Sequence, residues 1–126
     1  MSTHKIVLVE DDQVLRYMYE LKLKHHGFTV HTATNGEEGL AAIKESNPHL
    51  ILLDLRMPVM TGDEMLKKLR EEAWGASIRV IILTNLSKNE APPSLRFLNV
   101  DRYVVKAHTT PSQVVEIIHQ VLGTIA

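Results

Sequence analysis

Acidic, hydroxyl and amine side chains recur in this sequence immediately after short apolar runs. Glu10-Asp11-Asp12 follows Ile6-Val7-Leu8-Val9, Asp54 follows Leu50-Ile51-Leu52-Leu53, Thr84 follows Val80-Ile81-Ile82-Leu83, and Lys106 follows Tyr103-Val104-Val105. Gathered in one place, these groups define a chemistry. Carboxylates a few ångströms apart repel by about 1 kcal/mol per pair even at the dielectric constant of water, so a cation is expected among them. An all-oxygen donor set with open positions for water and phosphate fits Mg²⁺. Such an ion would screen Asp54 from an incoming phosphoryl group, while Lys106 would neutralise one phosphoryl oxygen and the Thr84 hydroxyl would hydrogen-bond another. Asp54 would then be the nucleophile and become an acyl phosphate. Each residue taken alone has an ordinary explanation: Asp12 as a helix cap, Asp54 as a turn residue, Thr84 as a strand-end hydroxyl, Lys106 as a snorkelling surface lysine. Their joint position at strand ends favours the chemical reading.

The elements that must deliver these groups are visible in the hydrophobic pattern. With Phe28-Thr29-Val30, the apolar runs make five strands, nearly continuous and mostly β-branched, as buried parallel strands require. Between the first two, Val14, Met18 and Leu21 share a helical face, and Gly27 sits where a left-handed helix stop would fall. Asn35-Gly36-Glu37-Glu38 caps a second helix that carries Leu40 and Ile43 inward. Capping-box spacings at Thr61-Gly62-Asp63-Glu64 and Thr110-Pro111-Ser112-Gln113 predict helices over 64–72 and 111–122. A short fourth helix is expected near 91–98, starting late because Pro92-Pro93 lacks two backbone donors. The alternation predicts an α/β fold: a flavodoxin-like (βα)5 doubly wound parallel five-stranded sheet, order 2-1-3-4-5, with helices on both faces. In such a sheet the ligand site lies beyond the carboxyl ends of the strands, where the four chemical groups stand.

Composition narrows the function. At 126 residues with 44% hydrophobic and 23% charged side chains, the chain is expected to be one globular domain, 1–126. Its 14 Lys and Arg against 15 Asp and Glu, net charge -1, give no strong electrostatic reason to bind nucleic acid or an acidic membrane. Cys is absent, which removes disulfides, thiolate nucleophiles and Cys-based zinc sites. The first apolar stretch is too short for a signal sequence or membrane span, so a cytoplasmic setting is expected.

These residues together resemble the receiver domain of two-component response regulators, the CheY-like family, over essentially the whole chain. Val9-Glu10-Asp11-Asp12 matches the acidic pocket motif and Leu52-Leu53-Asp54-Leu55-Arg56-Met57-Pro58 the phosphoacceptor segment. Gly62 stands at the family's glycine, Leu83-Thr84 and Lys106 at its hydroxyl and lysine positions, and Tyr103 at its switch aromatic. The resemblance implies that a histidine kinase or histidine phosphotransfer protein donates a phosphoryl group to Asp54. It also implies Mg²⁺ held by Asp11, Asp54 and the Arg56 backbone carbonyl, with Glu10 contacting it through water. Thr84 would shift towards the phosphoryl group and let Tyr103 rotate inward, remodelling the face made by the fourth helix, fifth strand and fifth helix. An unidentified downstream protein, or a phosphorylation-dependent homodimer, would read that face, with no separate substrate turned over.

The chain departs from the family pattern in several places. Ala107 follows Lys106 where Pro is usual, Arg56 and Leu86 occupy the pocket rim and bear on attack by water, and Val100-Asp101 replaces a small Gly-Ala pair. Arg56 could pair with Glu10 or attract phosphoryl donors. Of the seven His residues, His25-His26 suit a solvated helix end, and His108 is near enough to the pocket to tune it. Other functions fit less well. A haloacid-dehalogenase-like phosphatase needs a second aspartate where Arg56 stands. A flavodoxin-like FMN carrier wants a phosphate loop where Glu10-Asp11-Asp12 would repel phosphate. A scaffold-only receiver is at odds with the intact acid, Thr and Lys set.

Overall fold

In the computed structural model, which describes residues 4–124, the apolar runs become strands β1 (Lys5–Val9), β2 (Thr29–Ala33), β3 (Leu50–Leu53), β4 (Arg79–Thr84) and β5 (Arg102–Val105). All pairs are parallel and the order is β2-β1-β3-β4-β5, the predicted 2-1-3-4-5. Register then decides what meets at the carboxyl edge. Val9 lies beside Leu53, Leu53 beside Ile82, and Thr84 beside Val105, so the residues that follow emerge along one rim. The Asp54 N–H extends the β1–β3 ladder by donating to the Val9 carbonyl at 3.1 Å.

Helices α1 (Gln13–His25), α2 (Gly36–Ser46), α3 (Gly62–Glu71) and α4 (Pro111–Leu122) cover both faces of the sheet. Alternate strand residues feed separate cores. Ile6, Leu8, Leu52 and Leu83 pack with Tyr19 and Leu23 of α1 and Val114 and Ile118 of α4. Val7, Val9, Ile51 and Ile82 pack with Ile43 of α2 and Met65, Leu66 and Leu69 of α3. Each such fully buried aliphatic side chain contributes about 1.5–3 kcal/mol. The predicted caps form: Asn35 Oδ1 accepts from the Glu38 N–H at 2.9 Å, and the Thr61/Glu64 and Thr110/Gln113 pairs bond reciprocally at the starts of α3 and α4. α3 starts at Gly62, two residues before the predicted 64.

Two expectations are corrected. The face of α1 carrying Val14, Met18 and Leu21 does not enter the core: these residues are 77%, 38% and 51% exposed, and Tyr19 and Leu23 are buried instead. The helix has two apolar rows, and its rotation is fixed at its start. Asp12 caps the Leu15 N–H, and Arg16 reaches back to the carbonyls of Glu10 and Asp11. With Arg16 on the sheet side, residues three and seven positions on must face the sheet too.

The second correction concerns the fourth helix, expected near 91–98. The β4–β5 connection holds no α-helix, only 3₁₀ turns at Lys88–Glu90 and Pro93–Phe97. Adjacent prolines remove two amide donors, so only i→i+3 bonds close, such as Leu98 N–H to the Leu95 carbonyl at 3.2 Å. Leu95 is its buried anchor and Phe97 stands 82% exposed. Arg70 ties down the far end with four hydrogen bonds to the carbonyls of Leu98, Asn99, Gly75 and Ile78. Asp101 accepts from the Val80 N–H at 2.8 Å, a structural reason for an acid in place of a small residue there.

Candidate functional site

The site is built from the residues just beyond β1, β3, β4 and β5. Glu10 is 2% exposed, and one of its carboxylate oxygens accepts from the Asp12 N–H at 3.1 Å. Asp11 is exposed at the rim. Asp12 is committed to capping α1, so the three consecutive acids split into a buried one, a rim one and a helix cap. Asp54 is 7% exposed; its Oδ1 accepts from the Arg56 N–H at 3.4 Å and its Oδ2 from the Lys106 ammonium at 2.9 Å. Lys106 also bonds the other Glu10 oxygen. Its side chain is 9% exposed, so this is a buried ammonium shared by two buried carboxylates.

Electrostatics follow from that sharing. Burial alone would push the Lys106 ammonium down, but its hydrogen bonds to Glu10 and Asp54 outweigh burial and hold its pKa above the ordinary lysine value. Burial pushes the Glu10 carboxyl up against the pull of Lys106 and the Asp12 N–H. Glu10, Asp11 and Asp54 each offer a carboxylate oxygen, all within 4.8 Å of one another. Three carboxylates against one ammonium leave an excess of negative charge, and the donors are hard oxygens. The residues present therefore fit a divalent cation of the Mg²⁺ kind.

Asp54, Arg56, Thr84, Asn85, Leu86, Glu90 and Lys106 line an open cleft of about 350 Å³ over the Asp54 carboxylate. Thr84 is 1% exposed and its hydroxyl accepts from the Leu86 N–H at 3.5 Å. Gly62 holds the loop below: a Cβ there would fall 2.2 Å from the Asp54 carbonyl, so only glycine lets α3 begin so close to the strand end. Tyr103 is half-buried, and its hydroxyl donates to the carbonyls of Leu86 at 2.8 Å and Ser87 at 3.2 Å. Burial, then the charges of Glu90 and Asp54, raise its pKa.

The structure thus brings Glu10, Asp11, Asp54, Thr84 and Lys106 together, with Arg56 and Leu86 at the rim and Tyr103 behind them. Arg56 is exposed and does not pair with Glu10, whose partner is Lys106. The Lys106–Ala107 peptide is trans. His108 is exposed on the 3₁₀ turn after β5, and His25 and His26 close α1 with their rings 5.6 Å apart. Sequence reasoning passed over Arg16, whose two carbonyl contacts had no motif to mark them. It also passed over Glu90, although Ser87-x-x-Glu90 has capping-box spacing and the box forms.

Comparison with known proteins is consistent across sequence and structure. Residues 6–119 match the family model described as the response regulator receiver domain. A probable transcriptional regulator ycf27 of Porphyridium aerugineum is 34% identical over 106 residues, 84% of this chain and 43% of the relative. The phosphate regulon transcriptional regulatory protein PhoB of Rhizobium meliloti is 33% identical over 109 residues, 85% of this chain and 47% of the relative. The chain thus spans less than half the length of these relatives. Among solved structures, the Vibrio cholerae chemotaxis protein CheY4 superposes with a TM-score of 0.88 at 27% identity, covering 95% of this chain and 99% of that one. The receiver domain of the Pseudomonas aeruginosa sensor histidine kinase PA1611, described with a magnesium ion coordinated in its active site cleft, shares the fold with a TM-score of 0.83 at 22% identity; 98% of this chain and 100% of that one are covered. Among the described residues, no helix is long and apolar enough to cross a membrane.

Proposed function

This chain belongs to the response regulator receiver domain family, switch domains rather than enzymes that turn over a separate substrate, and on that premise we propose that Asp54 is its phosphoacceptor in a two-component system. The observation that carries the reading is the buried Asp54 carboxylate, shared with Glu10 through one ammonium at the floor of an open cleft. A histidine kinase or histidine phosphotransfer protein supplies the phosphoryl group. An Asp54 carboxylate oxygen attacks phosphorus, the phosphorus–nitrogen bond of the donor breaks, and the electron pair leaves on the imidazole nitrogen.

Asp11, Asp54 and the Arg56 carbonyl would hold Mg²⁺, with Glu10 beside them as a further acid. When bound, the ion neutralises charge on the phosphoryl oxygens. Lys106 already touches Asp54 and moves its charge onto a phosphoryl oxygen as the carboxylate becomes an acyl phosphate. The Thr84 hydroxyl, held only by the long bond from Leu86 N–H, turns towards the phosphoryl group as donor. That movement frees Tyr103 to leave the Leu86 and Ser87 carbonyls and turn inward, biasing the face made by the β4–β5 connection, β5 and α4. A protein partner reads this face, in a cytoplasmic setting and without direct contact to nucleic acid or membrane.

The test is incubation with Mg²⁺ and acetyl phosphate or phosphoramidate, followed by intact mass. One phosphoryl adduct is expected on the wild type and none on Asp54→Asn. An adduct that survives the substitution, or none under either donor, would overturn the reading. Size measurement of the labelled protein separates a phosphorylation-dependent homodimer from a monomer awaiting a different partner.

A further inference from the structure

Arg16 is a feature of the acidic site that the phosphoacceptor chemistry leaves unused. It lies on the first turn and a half of α1, yet its Nη1 donates to the carbonyls of two residues that precede the helix, Glu10 at 2.8 Å and Asp11 at 3.2 Å. Those residues are two of the three carboxylates gathered within 4.8 Å. The turn that carries them has other restraints: the Glu10 N–H donates to Ala33, the Asp12 N–H donates to the Glu10 side chain, Lys106 donates to that side chain too, Asp12 caps the Leu15 N–H, and the Asp12 carbonyl accepts from the Arg16 N–H at 2.9 Å. None of these holds the Asp11 carbonyl. Without the Arg16 side chain the φ and ψ angles of Asp11, the exposed acid of the three, lose the restraint on its carbonyl.

The geometry points to Arg16 as the positioning residue of the cation site, a clamp that aims the Glu10 and Asp11 carboxylates by fixing the backbone from which they project. This rests on the phosphoacceptor reading of the same site. A guanidinium suits the task because the two N–H groups of its Nη1 lie at a fixed angle in the guanidinium plane, one for each carbonyl, on a group that is permanently charged. Its charge alone would act in the opposite direction, since a cation near the site disfavours a second cation. Sign therefore separates the clamp from a general electrostatic effect. If orientation dominates, loss of Arg16 weakens cation binding; if charge dominates, loss of Arg16 strengthens it.

The experiment is calorimetric titration of Mg²⁺ into the wild type, Arg16→Met and Arg16→Lys, with urea unfolding of each in EDTA as a measure of fold stability. Misplacing groups that orient metal ligands costs about tenfold or more in affinity. Arg16→Met is expected to bind Mg²⁺ about tenfold more weakly, and Arg16→Lys, which keeps the charge and loses the planar Nη1 geometry, is expected to be weakened as well. Unchanged or tighter binding in Arg16→Met overturns the clamp, as does a loss of stability in EDTA with no change in Mg²⁺ affinity. A wild type that takes up no Mg²⁺ sinks the parent reading and the clamp together, whereas normal wild-type binding with unaffected variants sinks the clamp alone.

Discussion

Lys106 shows how one side chain can serve the fold and the chemistry in turn. Its ammonium is the counter-charge against which the Glu10 and Asp54 carboxyl groups are packed almost fully buried. Removing one partner from a buried ion pair leaves an uncompensated charge, at a cost of about 3–5 kcal/mol. Lys106→Met is therefore expected to lose about 3 kcal/mol of unfolding free energy in EDTA. Mg²⁺ should restore more stability to the variant than it adds to the wild type, because no ammonium competes for the same oxygens. Urea unfolding with and without Mg²⁺ measures both quantities; equal increments in the two proteins would show that ammonium and ion do not share the carboxylates. At this scale the sequence was readable where residue type and strand-end position sufficed, as for Asp54, Thr84 and Lys106. Pairing was not readable. Nothing in Glu10-Asp11-Asp12 says that the first is buried against Lys106 while the third caps a helix. That division depends on where β5 brings its lysine, 96 residues away.

Among the elements, the loop between Asp54 and α3 contains a local conflict. Val59 has φ 69°, and the Met60 N–H closes a three-residue turn on the Pro58 carbonyl at 2.7 Å. A β-branched residue in this region crowds the following carbonyl, at about 1–2 kcal/mol. With Val59 76% exposed, little packing offsets that cost. Val59→Asn, which tolerates the conformation better, is expected to raise stability by about 1 kcal/mol, read from the urea midpoint. A fall in stability would show that the valine side chain holds the loop in a way its exposure hides. Elements with strong local signals were legible: α3 and α4 from their capping boxes, the strands from their apolar runs. The Val59 turn and the two rows of α1 were not, because backbone closure decides the first and Arg16 decides which row of the second meets the sheet. Pro92-Pro93 did signal trouble, but not that turns would replace the helix altogether.

Across the whole molecule the sheet separates two kinds of titratable group. Acids gather at its carboxyl end, and at the other end His119 packs against Phe28 with ring centroids 5.3 Å apart, its Nδ1 2.6 Å from the Thr124 hydroxyl. His4 stacks edge-on with His49, whose Nδ1 accepts from the Lys5 N–H at 2.9 Å. Burial, then the charges of His26 and His4, hold His119 below the ordinary histidine value of 6.5. The folded state thus prefers neutral His119, so its contribution is whole above the unfolded value and is lost as pH falls through the folded one. Stability is expected to decline as pH falls below the ordinary histidine value of 6.5, and His119→Leu should flatten part of that decline. Urea midpoints across this range check it; parallel curves for the two proteins would dismiss His119 as the cause. Strand order was legible because five buried runs alternating with helical segments leave few right-handed parallel arrangements. The histidine end was not, since His4 meets His49, and Phe28 meets His119, only after the strand starts are aligned.

The stretch between β4 and β5, fastened by Tyr103 at its start and Arg70 at its finish, has one more implication. An α-helix carries a cooperative ladder and moves as a rod, whereas a string of single turns has no ladder to break. Each turn in this connector is closed by its own bonds, such as Glu90 N–H to the Ser87 carbonyl and Leu98 N–H to the Leu95 carbonyl. A message crossing it would travel as successive small bends, graded along the chain, rather than as one piece swinging between two positions.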